Sequence, residues 1–238
     1  MEFYYSNSIE GNIITLDNRE SRHCTKVLRN KIGDEISVVD GLGNLYIGEL
    51  IFSDKRSCKI KIRNTIKEYN KKNYYIHIGI SPTKNHDRLE WFVEKSVEIG
   101  VNEISLINCS RTLRKSIKMD RLNNIAIAAM KQSLNSLLPK INDIIDFEKF
   151  IHQNKNISNF ICHLEKENRK SMFYYDKSIR EGKNTCLVIG PEGDFTLDEI
   201  KLSKNNNFKS ITLGENRLRT ETAGIVACHL TGVINSLK

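Results

Sequence analysis

From residue 74 onward the chain alternates short apolar runs with stretches of helical periodicity, and this alternation constrains the fold more than any other feature. YYIHIGIS (74–81) reads as a strand. DRLEWFVEKSVEIG (87–100) reads as a helix, because Leu89, Phe92, Val93 and Val97 recur at helical spacing, Asp87 and Glu90 offer a capping box, and Gly100 stops it. EISLINC reads as the next strand and RLNNIAIAAMKQSLNSLL as a helix stopped before Pro139. FICHL, TCLVIG and SITLG give three more strands, with helical patterns between or after them. Strands alternating with helices predict an α/β fold, a parallel sheet covered on both faces.

The first 70 residues follow a different grammar. CKIKIR (58–63) alternates apolar and basic side chains with period two, and EISVVDGLGNLYIGELIF (35–52) reads as two strands around a turn at Asp40 and Gly41. Asp17 and Glu20 offer a capping box for a short helix reaching Leu28 and Arg29. The expected organisation is a small β-rich unit over residues 1–70, ending in the polar stretch KEYNKKN, and an α/β unit over 71–238.

Charge separates the same two parts. Residues 1–70 carry 11 basic and 10 acidic side chains, a net +1, and residues 71–238 carry 26 and 19, a net +7. The densest basic run, RTLRKSIKMDR from Arg111 to Arg121, sets five cations against one anion, which attracts phosphate backbones unless it is only a solvated face. No run of eighteen apolar residues and no basic-then-apolar leader occurs, so a cytoplasmic protein away from membranes is expected. Six cysteines are scattered singly, without CxxC or Cys/His clusters at ligand spacing; they are expected as reduced packing residues, and no metal is expected.

Two segments share one scheme of strand, glycine loop and helix: TCLVIG-PEGDF-TLDEI and SITLG-ENRLR-TETAGIVA. Thr196 and Glu199 supply a capping box for the first helix. In α/β sheets, ligands bind where such loops leave the carboxyl ends of strands, because unpaired backbone groups collect there and glycine admits close approach. The loops lack GxxxxGK[ST], GxGxxG and GxSxG, which excludes the common phosphate, dinucleotide and acyl-transfer motifs. The residues alone therefore point to a metal-free pocket for a small ligand beside a basic surface.

IGPEGDFTLDEI followed by LGENRLRTETA closely resembles the two signature segments of the RsmE family, small-subunit ribosomal RNA methyltransferases of the SPOUT superfamily. HCTKVLRNKIGD (23–34), DGLG (40–43), EKSVEIGV (94–101) and KQSLNSLLP (131–139) resemble further family segments, so the likeness covers nearly the whole chain. The resemblance implies an N-terminal PUA-like barrel for RNA and a C-terminal α/β domain tied in a trefoil knot, whose loops hold S-adenosylmethionine, with two subunits completing the sites of a homodimer. It implies methylation of a uridine N3 in 16S ribosomal RNA, as free RNA or as the small subunit, and hence a part in ribosome biogenesis. The other classes weighed are a ribose 2′-O-methyltransferase of the same superfamily and an RNA-binding assembly factor without chemistry.

Matching the motifs residue by residue, the resemblance implies cofactor contacts from Ile189, Gly190, Pro191, Glu192, Gly193, Leu213, Gly214, Leu218, Arg219, Thr222 and Ala223. Arg219 is the candidate catalytic cation, since a guanidinium can meet a uracil carbonyl as negative charge grows on it; the competing role is an ion pair with Glu221 or Glu215. Glu192, Glu221 or water is left as the base. RNA contacts are expected from Arg22, Lys26, Arg29, Arg111, Arg114, Lys115 and Lys118. Asp194 stands where the family usually has glycine, Cys24 where it usually has leucine, and Asn135 where a basic residue is common.

Overall fold

The computed structural model describes residues 2–113, 116–154, 157–165 and 169–237. The chain divides into two compact units, Met1–Lys71 with Ile127–Leu138, and Lys72–Ala126 with Pro139–Lys238. Residues 127–138 thus belong with the N-terminal unit, which a boundary near residue 70 does not anticipate.

In the N-terminal unit the strands are β1 (Phe3–Tyr5), β2 (Ile9–Glu10), β3 (Ile13–Leu16), β4 (Glu35–Val39), β5 (Leu45–Ser53) and β6 (Cys58–Ile66). Among the described residues they form one curled sheet of order β1-β4-β5-β6-β3-β2, antiparallel except for β1 beside β4. The expected hairpin is present, and Asp40 builds its turn by accepting the Leu42 and Asn44 N–H groups at 2.8 and 3.1 Å, while Gly41 takes φ +76°. Along β6 the period-two pattern buries Cys58 and Ile60 with Tyr4, Ile14, Leu16 and Leu50 and leaves the lysines outside. Asp17 caps the short helix α1 (Asn18–Arg22) through the Glu20 N–H, but the expected reciprocal box does not form. Glu20 is buried and spent elsewhere: it accepts the Tyr5 N–H at 3.1 Å and meets Lys131 at 2.5 Å. Such a pair holds together because either ion alone would be buried uncompensated.

The C-terminal unit contains, in chain order, β7 (Tyr75–Ile80), α2 (His86–Ile99), β8 (Glu103–Asn108), α3 (Met119–Gln132), β9 (Lys140–Asp146), α4 (Phe147–Gln153), β10 (Ser158–Cys162), β11 (Lys170–Ser171), α5 (Asp176–Gly182), β12 (Asn184–Ile189), α6 (Leu197–Asn205), β13 (Lys209–Thr212) and α7 (Thr220–Ser236), with α3 shared between the units. Among the described residues the sheet is seven-stranded, of order β11-β13-β10-β12-β7-β8-β9, and its pairs are all parallel. This is the α/β architecture expected from the alternation. One face is covered by α4 and α6 over Ile107, Phe147, Phe150, Ile161, Val188, Phe195 and Ile200. α2 and α7 pack on each other, and Gly224 permits the approach, since a Cβ there would sit 2.4 Å from the Phe92 ring.

Three local expectations are corrected. α2 is capped by Asn85, whose side chain accepts the Asp87 N–H at 2.9 Å, and Glu90 binds Arg121 instead of closing a box with Asp87. α3 ends at Gln132, six residues short of Leu138, because Leu134 turns to φ +53°. β9, whose KINDIID has no clean period-two pattern, is an additional strand. The cysteines are free, and all but Cys162 are buried.

Candidate functional site

The strand order fixes where ligand-binding loops can meet. Cys162, the last residue of β10, pairs with Ile189 of β12 on one side and with Ile211 of β13 on the other, so three parallel strands end side by side. The segments leaving them, with the first turn of α7, enclose a cavity of about 510 Å³. Its walls come from Cys162, His163, Leu164 and Arg169 after β10, from residues 189–192 with Asp194 after β12, and from residues 211–220 with Ala223. Carboxyl ends of parallel strands are where an α/β sheet offers unpaired backbone groups, and the size suits a small organic ligand.

The loop after β12 is tightly held. Gly190 and Pro191 are buried, and the Gly190 carbonyl accepts the Thr220 hydroxyl at 3.0 Å, which ties the loop to α7. The Glu192 carboxylate accepts the Lys84 N–H at 2.9 Å, and Arg111 donates to the Gly193 carbonyl at 2.6 Å. Asp194 adopts φ +62°, the left-handed region that favours glycine, and its carboxylate accepts the Leu164 N–H at 2.9 Å, joining the first and second walls. Phe195 then plunges into the core against Phe147, with ring centroids 5.3 Å apart, and Thr196 with Glu199 makes the expected capping box of α6.

The loop after β13 is more open. Residues 214–217 and Arg219 are exposed; Thr212 bonds with both the N–H and the carbonyl of Gly214, and Arg217 donates to the Glu192 carbonyl at 3.2 Å. Arg219 is the N-cap residue of α7 and makes no side-chain capping bond there. Its backbone is fixed, since its carbonyl accepts the Ala223 N–H at 2.8 Å, while its side chain stands at the cavity.

Of the cofactor candidates, Ile189, Gly190, Pro191, Glu192, Leu213, Gly214, Leu218, Arg219 and Ala223 line this one cavity; Gly193 and Thr222 lie beside it without lining it. Of the two candidate carboxylates, only Glu192 lines the cavity. Glu221 is buried at 5% exposure with one oxygen 3.6 Å from Arg88 Nε of α2 and the other without a partner among the described residues. The competing role for Arg219, an ion pair with Glu221, does not form, because Glu221 faces Arg88. Sequence reasoning missed the entire contribution of the loop after β10, including His163, a buried ring whose two nitrogens have no partner among the described residues. Burial first, and then the Asp194 carboxylate, push the Cys162 thiol up, which disfavours its thiolate. Among the described residues no cluster of His, Cys, Asp or Glu could hold a metal ion, and no helix is long and apolar enough to cross a membrane.

The basic candidates fall in two places. In the N-terminal unit, Arg22 and Lys26 line a shallow groove with Asn18, Arg19, His23 and Lys131, and Arg29 is exposed nearby with φ +58°. In the C-terminal unit, Lys118 is exposed, whereas Arg111 is engaged with the Gly193 and Phe195 carbonyls. Arg114 and Lys115 lie outside the described residues. Trp91, exposed to 44%, is not a core residue, and Lys95 pairs with Glu94 and Glu98 on the surface.

Comparison with known proteins agrees with this geometry. Residues 70–232 match the RNA methyltransferase domain family, and residues 16–63 match the RNA methyltransferase PUA domain family. The chain is 32% identical to ribosomal RNA small subunit methyltransferase E of Mesomycoplasma hyopneumoniae, over 93% of this chain and 95% of that one. The fold is shared with the crystal structure of a probable rRNA-methyltransferase from Porphyromonas gingivalis, with a TM-score of 0.90 and 33% identity over 99% of both chains. A putative methyltransferase from Legionella pneumophila, solved in complex with the bound cofactor SAM, gives 0.87 and 25% identity over 97% of this chain and 96% of that one.

Proposed function

This chain belongs to the ribosomal RNA small subunit methyltransferase E family, and on that premise we propose that it transfers the methyl group of S-adenosylmethionine to N3 of a uridine in 16S ribosomal RNA. The observation that carries the reading is the cavity at the ends of β10, β12 and β13, lined by Arg169, Arg217 and Arg219, of which Arg219 is the N-cap residue of α7. Its residues fit the cofactor: the volume is that of a small-molecule site, and two glycine-containing loops present backbone to it. The trefoil knot rests on the resemblance and on the order β13-β10-β12, in which the chain passes β10 to get from one cofactor loop to the other.

When bound, S-adenosylmethionine supplies an electrophilic methyl on a sulfonium. To accept that methyl, the uracil N3 would have to give up its proton to a base. Negative charge spreads onto the uracil carbonyls as the proton leaves, and the Arg219 guanidinium meets one of them with fixed donors. Of the two candidate carboxylates Glu192 is the one that lines the cavity and is the protein candidate for the base; Glu221, turned to Arg88, instead fixes the start of α7 against α2. The N-terminal unit holds RNA through Arg22, Lys26 and Arg29, and Lys118 adds to the basic surface of the other unit. The homodimer and a cytoplasmic location are parts of the same proposal, and half-exposed Trp91 on α2 is an apolar side chain that a second copy would cover.

The test is nucleoside mass spectrometry of unmodified 16S RNA, free and as small subunits, after incubation with the purified chain and S-adenosylmethionine. N3-methyluridine is expected. Ribose methylation would move the chain to a different reaction, and no product from either substrate would leave an assembly factor.

A further inference from the structure

The edge of the C-terminal sheet carries aromatic rings that the core does not use. Among the described residues β11 is an edge strand, and its Lys170 and Ser171 pair with Ile211 and Thr212, which line the cavity. The chain then makes a 3₁₀ turn, Met172–Tyr175, in which buried Met172 precedes three consecutive rings. Phe173 is 50% exposed and Tyr174 64%. Tyr174 is nevertheless held in place: Tyr175 meets it edge-on with centroids 5.1 Å apart, and Tyr175 in turn packs at 5.4 Å on the buried Phe160 ring of β10. Two exposed lysines are set against these rings. Lys170 Nζ lies 3.7 Å from the Tyr174 centroid, and Lys209 Nζ lies 4.9 Å from that of Tyr175. The acids of the helix that follows have cations of their own, Asp176 meeting Arg180 at 3.1 Å and Glu181 meeting Lys177 at 3.9 Å, so they do not cancel the two lysines.

Resting on the reading that the substrate is RNA, we propose that this patch is a stacking platform for a single-stranded stretch of that RNA beside the nucleotide that is methylated. A base stacks on Tyr174, Phe173 offers a second ring, and Lys170 and Lys209 meet the flanking phosphates. Rings interleaved with cations are the combination that binds single strands, because every base has a π-face and every linkage a negative charge. A ring already held in place adds little ordering cost when a base covers it. Position supports the same occupant: Arg169 lines the cavity and Lys170 is the next residue, so cavity wall and platform are consecutive along one stretch of chain. A protein strand fits less well, since β11 is two residues long and carries a lysine, both of which guard a sheet edge against strand addition.

The test uses the full chain and a fluorescently labelled single-stranded oligouridylate, read by anisotropy across a salt series. Tyr174→Leu keeps apolar bulk and removes the π-face; it should weaken binding by about tenfold and leave the salt slope as it was. Tyr174→Phe, which keeps the ring, should bind like the unchanged chain. Lys170→Gln combined with Lys209→Gln should flatten the slope, because fewer counterions are released. Melting temperature and S-adenosylhomocysteine affinity should stay nearly constant in all three, since these side chains are exposed and do not line the cavity. An oligouridylate carrying 4-thiouridine should crosslink under ultraviolet light to residues 173–175. Unchanged affinity in Tyr174→Leu would overturn the platform, as would crosslinks confined to the N-terminal unit. A Tyr174→Leu variant that keeps its RNA affinity but loses self-association in sedimentation would give the patch to a second copy, again overturning it. If the unchanged chain does not bind the oligouridylate but still methylates 16S RNA, the platform fails while the proposed function stands; if it does neither, the RNA reading itself has failed.

Discussion

The two glycine-containing loops, residues 190–195 and 213–219, arise from the same sequence scheme and end in different physical states. The first is bonded on all sides: Thr220 holds its Gly190 carbonyl, Lys84 its Glu192, Arg111 its Gly193 carbonyl, and Leu164 its Asp194, and Phe195 anchors it in the core. The second has exposed residues at 214–217 and leans on the first through Arg217. A wall fixed in advance provides geometry without an ordering cost on binding, whereas an open wall can admit ligand and RNA and is ordered by them. Under the proposed function, the first loop supplies position and the second, whose last residue is Arg219, supplies chemistry.

The largest effect should come from the open loop. Arg219→Ala removes the cation while keeping the Arg219 carbonyl that accepts the Ala223 N–H. Single-turnover methyl transfer should fall by about a hundredfold or more, with S-adenosylhomocysteine affinity and melting temperature nearly unchanged, because the contact strengthens only as the uracil charge develops. Near-normal turnover would remove the division of labour between the loops.

A smaller and opposite signature is expected from the fixed loop. In Gly190→Ala the new Cβ would lie 3.0 Å from Phe195 Cε2, and that ring is confined by Phe147. Overpacking of this kind costs about 1–3 kcal/mol, or about 2–4 °C of melting temperature per kcal/mol at this chain length. Cofactor affinity should drop with it in calorimetry, since the wall itself shifts. A variant with unchanged stability and unchanged affinity would show that the loop is not the rigid reference it is taken to be.

What could be read from the sequence follows the range of the interactions. The strand–loop–helix scheme, the Thr196/Glu199 box and the hairpin at Asp40 are set by neighbours a few residues apart, and they stand as expected. The Asp87/Glu90 box failed because Asn85, two residues earlier, is an equally good cap and Arg121 outside the helix claims Glu90. His163 and Arg169 were invisible because HLEKENRK has loop composition; they reach the cavity only because β10 is inserted between β12 and β13, a pairing that no local pattern encodes. The same is true of Lys131, which finds Glu20 across 111 positions of sequence. The role of Asp194 is intermediate: its departure from glycine was legible, whereas the bond that offsets its strained backbone was not.

Hydrogen exchange followed by mass spectrometry, with and without S-adenosylhomocysteine, tests the central claim most directly, since it reads both loops in one sample. Without ligand, amides of residues 190–195 should exchange slowly and those of 213–219 quickly; with ligand, the second set should become protected while the first changes little. Equal exchange in both loops without ligand, or bound ligand that leaves 213–219 unprotected, would contradict the account of one fixed and one ordered wall around a single cofactor.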